Sequence, residues 1–193
     1  YLVLPGWSEI ERRLVDHGLR FERLSQEHEL DVEVVRLSEP QPAAASYQGL
    51  TRIQATVARG NERRIVPAGA LWVPADQPDF AVAVQLLEPE APDSVLSWGL
   101  VSSLFEGKEY IDGGALDLHA RAALVDPAVA LEWQKALADP VFAGDQWARY
   151  RWWFARTPYW DEQIGLYPVM RLMQPLPQPQ ERQLELTPET VPR

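Results

Sequence analysis

A chain of 193 residues with 28 acidic and 18 basic side chains carries a formal charge of −10 and has no cysteine. These figures exclude a disulfide scaffold and any thiolate metal or nucleophile site. They also exclude a general nucleic-acid binder, which needs a basic face to neutralise phosphates. The length fits one domain or two small ones and suffices to bury a core without a metal or cross-link.

No apolar run reaches the 18 or so residues of a membrane span, so none is expected. Tyr1-Leu2-Val3-Leu4-Pro5-Gly6 lacks the basic and long apolar regions of a signal peptide. With no initiator methionine, the chain reads as a processed form or an excised piece.

Tyr1–Leu4 reads as a short buried strand. Ser8 is placed to cap a helix reaching His17, with Glu9 and Glu11 at its positive end and Ile10, Leu14 and Val15 as its apolar stripe. Gly18 supplies the C-terminal stop. Leu19–Leu24 is a second strand, so the first 25 residues predict a β-α-β unit with a parallel pair. Asp31–Leu37 is a strand by its β-branched content, with Val32, Val34 and Leu37 on one face. A Pro/Ala-rich connection follows. Gly49–Ala58, a turn at Gly60-Asn61, Arg63–Val66 and Ala70–Val73 complete a largely antiparallel layer.

Beyond Asp76 the period becomes helical. Phe80–Leu87 is apolar nearly all round, which predicts a buried helix begun near Asp76, Gln77 and Pro78. Asp93 or Ser94 is expected to cap a helix through Val95, Trp98 and Leu104. Gly113-Gly114 marks a break before a helix over Leu116–Val125. Asp126-Pro127 and Asp139-Pro140 repeat one cap device. Asp145 starts a helix over Gln146–Arg156, ended at Thr157-Pro158, and Gly165–Leu172 is extended or irregular. The fold class is therefore α+β: the N-terminal β-α-β unit and a mostly antiparallel sheet, packed against a C-terminal helical layer. It forms one domain over residues 1–173, with an alternative division near Asp76. Residues 174–193 form a Pro-rich tail in which only Arg182–Leu186 alternates like a strand.

Chemistry-bearing patterns are sparse. His28 and Asp31 have a ligand-like spacing, but the local pattern is strand and no second histidine is near. His17 suits a helix C-terminus, where a cation is favourable, and His119 reads as surface or partly buried. No G-x-S-x-G elbow or phosphate-binding glycine loop occurs. Glu88, Glu90 and Asp93 cluster around Pro89 and Pro92, and Glu106 and Glu109 flank Lys108. Paired carboxylates of this kind can hydrolyse glycosides, although a cap at Asp93 and a solvated or partner-facing surface at Glu106 and Glu109 explain them better. Arg149, Arg151 and Arg156 interleave with Trp147, Tyr150, Trp152, Trp153 and Phe154, whose spacing marks a helix core or docking face.

Several stretches carry a resemblance: Tyr1–Pro5 with Trp7, Pro67–Pro78, Leu86–Ser94 with Trp98-Gly99, Phe105-Glu106 with Lys108–Tyr110, Trp160–Glu162 and Leu166–Val169. Together they resemble the non-catalytic region that follows the catalytic domain in large bacterial zinc metallocarboxypeptidases of the carboxypeptidase A-like family. The resemblance covers residues 1–172 and is most specific from Ala68 to Gly99. In that family a catalytic domain binds zinc through H-x-x-E and a distant histidine, a glutamate acts as base, and an arginine holds the substrate carboxylate. None of these maps here, because His17, His28 and His119 are followed three residues on by Arg20, Asp31 and Ala122.

The resemblance thus implies no catalytic residue, metal ligand or cofactor in this chain, and zinc only in the parent catalytic domain. It implies a periplasmic or secreted protein whose partner is the preceding catalytic domain. A homo-oligomer through the tail or a tryptophan surface is a further expected partner. The interface or ligand candidates are Asp76, Gln77, Glu88, Asp93, Trp98, Glu106, Tyr110, Trp160 and Tyr167. Two alternatives stand beside the accessory-domain reading. One is a carbohydrate- or peptide-binding module, which requires several of the eight tryptophans to lie coplanar on one surface. The other is a hydrolase using Glu88, Asp93, Glu106 or Glu109.

Overall fold

The computed structural model describes residues 1–107 and 110–176. Lys108, Glu109 and the tail beyond residue 176, with its expected alternation at 182–186, lie outside the described residues.

The fold is α+β. Six strands, β1 (Leu2–Val3), β2 (Glu22–Arg23), β3 (His28–Pro42), β4 (Ile53–Val66), β5 (Leu71–Trp72) and β6 (Val169–Leu172), form one sheet in the order β2-β5-β1-β6-β3-β4. Every pairing is antiparallel. The helices are α1 (Ser8–Asp16), α2 (Phe80–Leu87), α3 (Gly113–Ala123), α4 (Pro127–Leu137), α5 (Pro140–Gly144) and α6 (Gln146–Phe154), with a 3-10 turn at Ser102–Phe105.

The expected parallel β1–β2 pair is not formed. The two strands do run the same way, but β5 lies between them and hydrogen-bonds to both. The unit is a split β-α-β, and its missing middle strand arrives some fifty residues later in the chain.

The long β3–β4 hairpin corrects a second expectation. Gly60 and Asn61 do not turn; they sit in the ladder opposite Val34 and Glu33. The reversal is at Tyr47-Gln48-Gly49-Leu50, where φ is +52° at Gln48 and +79° at Gly49. Two positive φ values at the centre of a two-residue loop are the type I′ signature, whose twist suits a hairpin. Tyr47 and Leu50 exchange backbone bonds of 2.8 and 3.0 Å across it.

Each face of β3 feeds a different core. Leu30, Val32 and Val34 join Leu2, Val66, Ala70 and Met170 on one face. Val35 and Leu37 join Val3, Leu71 and Val169 on the other, beneath Ile10 and Leu14 of α1 and Ala83, Leu86 and Leu87 of α2. Leu37 therefore does not share a face with Val32 and Val34. The switch between Val34 and Val35 is simple strand alternation with both sides covered.

Several local signals act as the sequence predicts. α1 ends in a Schellman motif: Gly18 (φ +66°) donates to the Val15 carbonyl and Leu19 to that of Leu14. Asp126, Asp139 and Asp145 each cap the helix that follows through a side-chain oxygen, and Asp112 caps α3 in the same way. Gly113-Gly114 is thus a helix start. Ser8 is not a cap; Trp7 holds that position without a side-chain bond.

No helix forms over 93–101. Ser94 Oγ donates to the Pro89 carbonyl and accepts from Ser97 N, and Ser97 Oγ donates to the Pro92 carbonyl. These hydroxyls hold the segment as consecutive turns, in competition with a helical ladder.

Helices α3–α6 contribute no residue to either sheet core among the described residues. They pack on one another around aromatic rings, with only Leu116 and Phe154 buried.

Candidate interaction site

Glu88 follows α2 and is one of few buried charged residues, at 8% exposure. Arg171 of β6 donates to it from Nε at 2.7 Å, Arg59 of β4 from a terminal nitrogen at 3.1 Å, and Tyr1 from its hydroxyl at 2.5 Å. Arg59 and Arg171 also share Glu33 of β3 at 3.0 Å each, and Arg59 reaches Glu90 at 2.7 Å. Burial raises the Glu88 carboxyl pKa, but the bonds from Arg171, Tyr1 and Arg59 outweigh it and hold the group below its ordinary range. Tyr167, at 0% exposure, lies beside this network with no hydrogen-bond partner for its hydroxyl among the described residues, and burial pushes its phenol well up. The cavity between them, about 10 Å³, holds no more than one water. This is an ionic knot closing three strands and the end of a helix onto one another, with Tyr167 as core.

Such a carboxylate is saturated with donors and cannot act as a free base. Asp93 accepts from Trp98 Nε1 at 3.3 Å, and Glu106 lies apart in a shallow cleft with Trp7 and Asp161. Glu109 lies outside the described residues. Of the carboxylates considered for a hydrolase, Glu88, Asp93 and Glu106 thus lie in three different environments. His28 and Asp31 lie on a strand at a spacing that points them to opposite faces. No group of three or more His, Asp or Glu side chains able to hold a metal occurs among the described residues.

Asp76 and Gln77 form a clamp. Gln77 accepts from Arg20 N at 2.8 Å and donates to the Arg20 and Pro74 carbonyls, while Asp76 pairs with the Arg20 guanidinium at 2.8 Å. Together they fasten the segment after α1 to the approach of α2. Tyr110 is 85% exposed. Trp160 is half-buried, edge-on to Phe154.

Asp93 and Trp98 are brought together with residues the sequence did not single out. They line a groove of about 680 Å³ with Arg13 of α1 and His17 at its C-terminal cap, Ala81, Val82, Gln85 and Leu86 of α2, and Gln48 and Leu50 of the hairpin tip. Trp98 is fixed as a wall: the Arg52 guanidinium stacks 4.5 Å from its ring centre, and Tyr47 packs at 6.0 Å. The available signal was α2 itself. A helix with one polar residue is expected to be buried all round, yet Ala81 and Gln85 are exposed.

The tryptophans form no flat platform where they cluster. Trp133, Trp152 and Trp153 meet at interplanar angles of 47°, 51° and 82°. Trp147 alone is fully on the surface, at 72% exposure.

No family model and no solved structure matches the chain. Among curated proteins it is similar to Carboxypeptidase 2 of Trichophyton tonsurans, with 30% identity over 103 residues, and to Carboxypeptidase 2 of Trichophyton rubrum, with 28% over the same length. These matches cover 52% of this chain and 19% of each relative, so the chain spans about a fifth of the length of the fungal proteins it matches. About half of this chain is therefore a carboxypeptidase-related region.

Proposed function

We propose that this chain is a non-catalytic accessory domain of a zinc carboxypeptidase and docks on the catalytic domain of the same protein. One observation carries the reading: the carboxypeptidase-related chain contains no H-x-x-E pair, and its three histidines are scattered. The metal and the hydrolytic groups then belong to another domain, and this one stabilises or modulates it. The helices α3–α6 support the docking role. They leave Leu118, Val125, Val141 and Trp147 at least 70% exposed, in a unit that adds nothing to the sheet cores. Large apolar side chains left this exposed suit a surface that a partner covers.

The test is direct. The reading frame upstream of Tyr1 should encode a domain with H-x-x-E, and that domain should remove C-terminal residues from peptides. Deleting residues 1–176 from the whole protein should lower its thermal stability or kcat/KM. Stoichiometric zinc and peptidase activity in the 193-residue chain alone would overturn the reading.

A further inference from the structure

The groove between α1, α2 and the hairpin tip has features that closing a core does not require. Its floor is the uncovered side of α2, an apolar helix whose remaining faces pack on the sheet. Its volume of about 680 Å³ falls within the range of sites for organic ligands. Its wall also contains Arg13, a partly exposed cation without a counter-charge among the described residues. The Nε of Arg13 is shut off from solvent and has no hydrogen-bond partner, and Arg13 makes no ion pair among the described residues. Neighbouring Arg12, by contrast, pairs with both Glu9 and Asp16.

The Nε itself is covered by the protein, so a ligand in the groove meets the terminal nitrogens of the guanidinium, which no hydrogen bond or ion pair occupies among the described residues. The planar fork matches a carboxylate with two parallel bonds. His17 stands one helical turn on from Arg13 and lines the same wall, adding a second polar group beside it. Around them the lining is apolar, from Leu50, Val82, Leu86, Val95 and Leu100.

We infer that this groove binds a small apolar monocarboxylate, with its carboxylate on Arg13 and its aliphatic or aryl body along α2 and Trp98. A second negative charge on the ligand is disfavoured, because Asp93 lines the same groove. The chain's net charge of −10 gives no general attraction for anions, so binding depends on the local guanidinium. The site goes beyond the accessory-domain reading, and its outcome does not depend on whether the chain docks on a peptidase.

Octanoate and 4-phenylbutyrate, titrated into the full chain by calorimetry and followed by tryptophan fluorescence, test the inference. Octanamide serves as the neutral control. Saturable binding at one site is expected, with octanamide about tenfold weaker or worse, as expected for loss of a charge-assisted bond. Arg13→Gln should weaken octanoate by a similar factor at unchanged Tm, while Arg13→Lys retains part of the affinity. Ala81→Trp, a change at an exposed position on the groove floor, should block binding while leaving the core intact. Equal binding of octanoate and octanamide overturns the inference. So does undiminished binding to Arg13→Gln or to Ala81→Trp, or the absence of saturable binding to the parent chain.

Discussion

Arg171 and Glu88, 83 residues apart in the chain, meet in a two-pronged ion pair: Nε to Oε1 at 2.7 Å and a terminal nitrogen to Oε2 at 2.5 Å. Bidentate geometry of this kind gives both strength and direction. Here it ties the last described strand to the end of α2, and Arg59 brings the long hairpin into the same contact. The groove floor is the other side of α2, so the knot holds the floor of the candidate site in place.

Glu88→Gln should therefore destabilise the fold, by about 2–4 kcal/mol at neutral pH, since two arginines lose a buried counter-charge. The pH dependence has a definite sign. Burial raises the Glu88 pKa, its three donors together lower it by more, and the net effect is a folded value below the unfolded one. Its stabilisation is thus fully present above the unfolded value, about 4.3, and fades as pH falls through the folded value. Urea midpoints measured from pH 7 to pH 3 should converge for the parent and the variant at the acid end. A constant gap across that range would remove the carboxylate from the explanation.

Gly165→Ala should be strongly damaging at this buried position. Gly165 has φ +75°, and a Cβ there would stand 2.3 Å from the Leu37 carbonyl oxygen. The close approach is functional for the fold, because Leu37 N donates to Gly165 O at 2.7 Å, beside the second core. Strain at positive φ together with a backbone clash should cost about 3 kcal/mol or more. Gly60→Ala has open space and no positive φ, so it is the matched control, expected to change stability by less than about 1 kcal/mol. Comparable losses for the two variants in denaturant titrations would contradict this account.

The sequence revealed what is decided within a few residues. Asp126 and Asp139 before prolines, and Gly18 after α1, act through bonds to neighbours two to five positions away, so residue type alone places them. Gly60-Asn61 misled because the same dipeptide chemistry is tolerated in an exposed ladder, while the reversal falls at Gln48-Gly49, where glutamine is an unusual occupant of positive φ. The placement of β5 between β1 and β2 depends on pairing across many residues, which alternation does not encode. The candidate site divides in the same way. Trp98 and Asp93 drew attention as residue types, whereas Arg13 is one arginine among many until its missing partner is seen. Glu88 appeared as one of a cluster of acids, and only Tyr1, Arg59 and Arg171, all distant in sequence, show that it is a structural anchor.

Asp139→Ala should shorten or fray α5 at modest cost. Asp139 Oδ1 accepts from Val141 N at 2.9 Å, with Pro140 in the first turn. Loss of such a cap costs about 1 kcal/mol. Because α5 has no buried residue, the loss should appear in hydrogen exchange of α4–α6 and leave the sheet amides unchanged.

Trp133→Ala should separate the helical unit from the sheet more completely. Trp133 meets Phe142 at 5.8 Å and both Trp152 and Trp153 at 4.9 Å, so one side chain joins α4, α5 and α6. Removing it deletes a large aromatic contact and should cost the unit about 3 kcal/mol. Since α3–α6 supply no residue to either sheet core, β1, β3 and β6 should keep their protection. Two transitions should then appear on heating: an early one seen by tryptophan fluorescence, and a later one seen by β-sheet circular dichroism. If the variant still melts in one step with all amides exposed together, the helices and the sheet share a single cooperative unit, and the aromatic cluster transmits stability that the separate cores do not reveal.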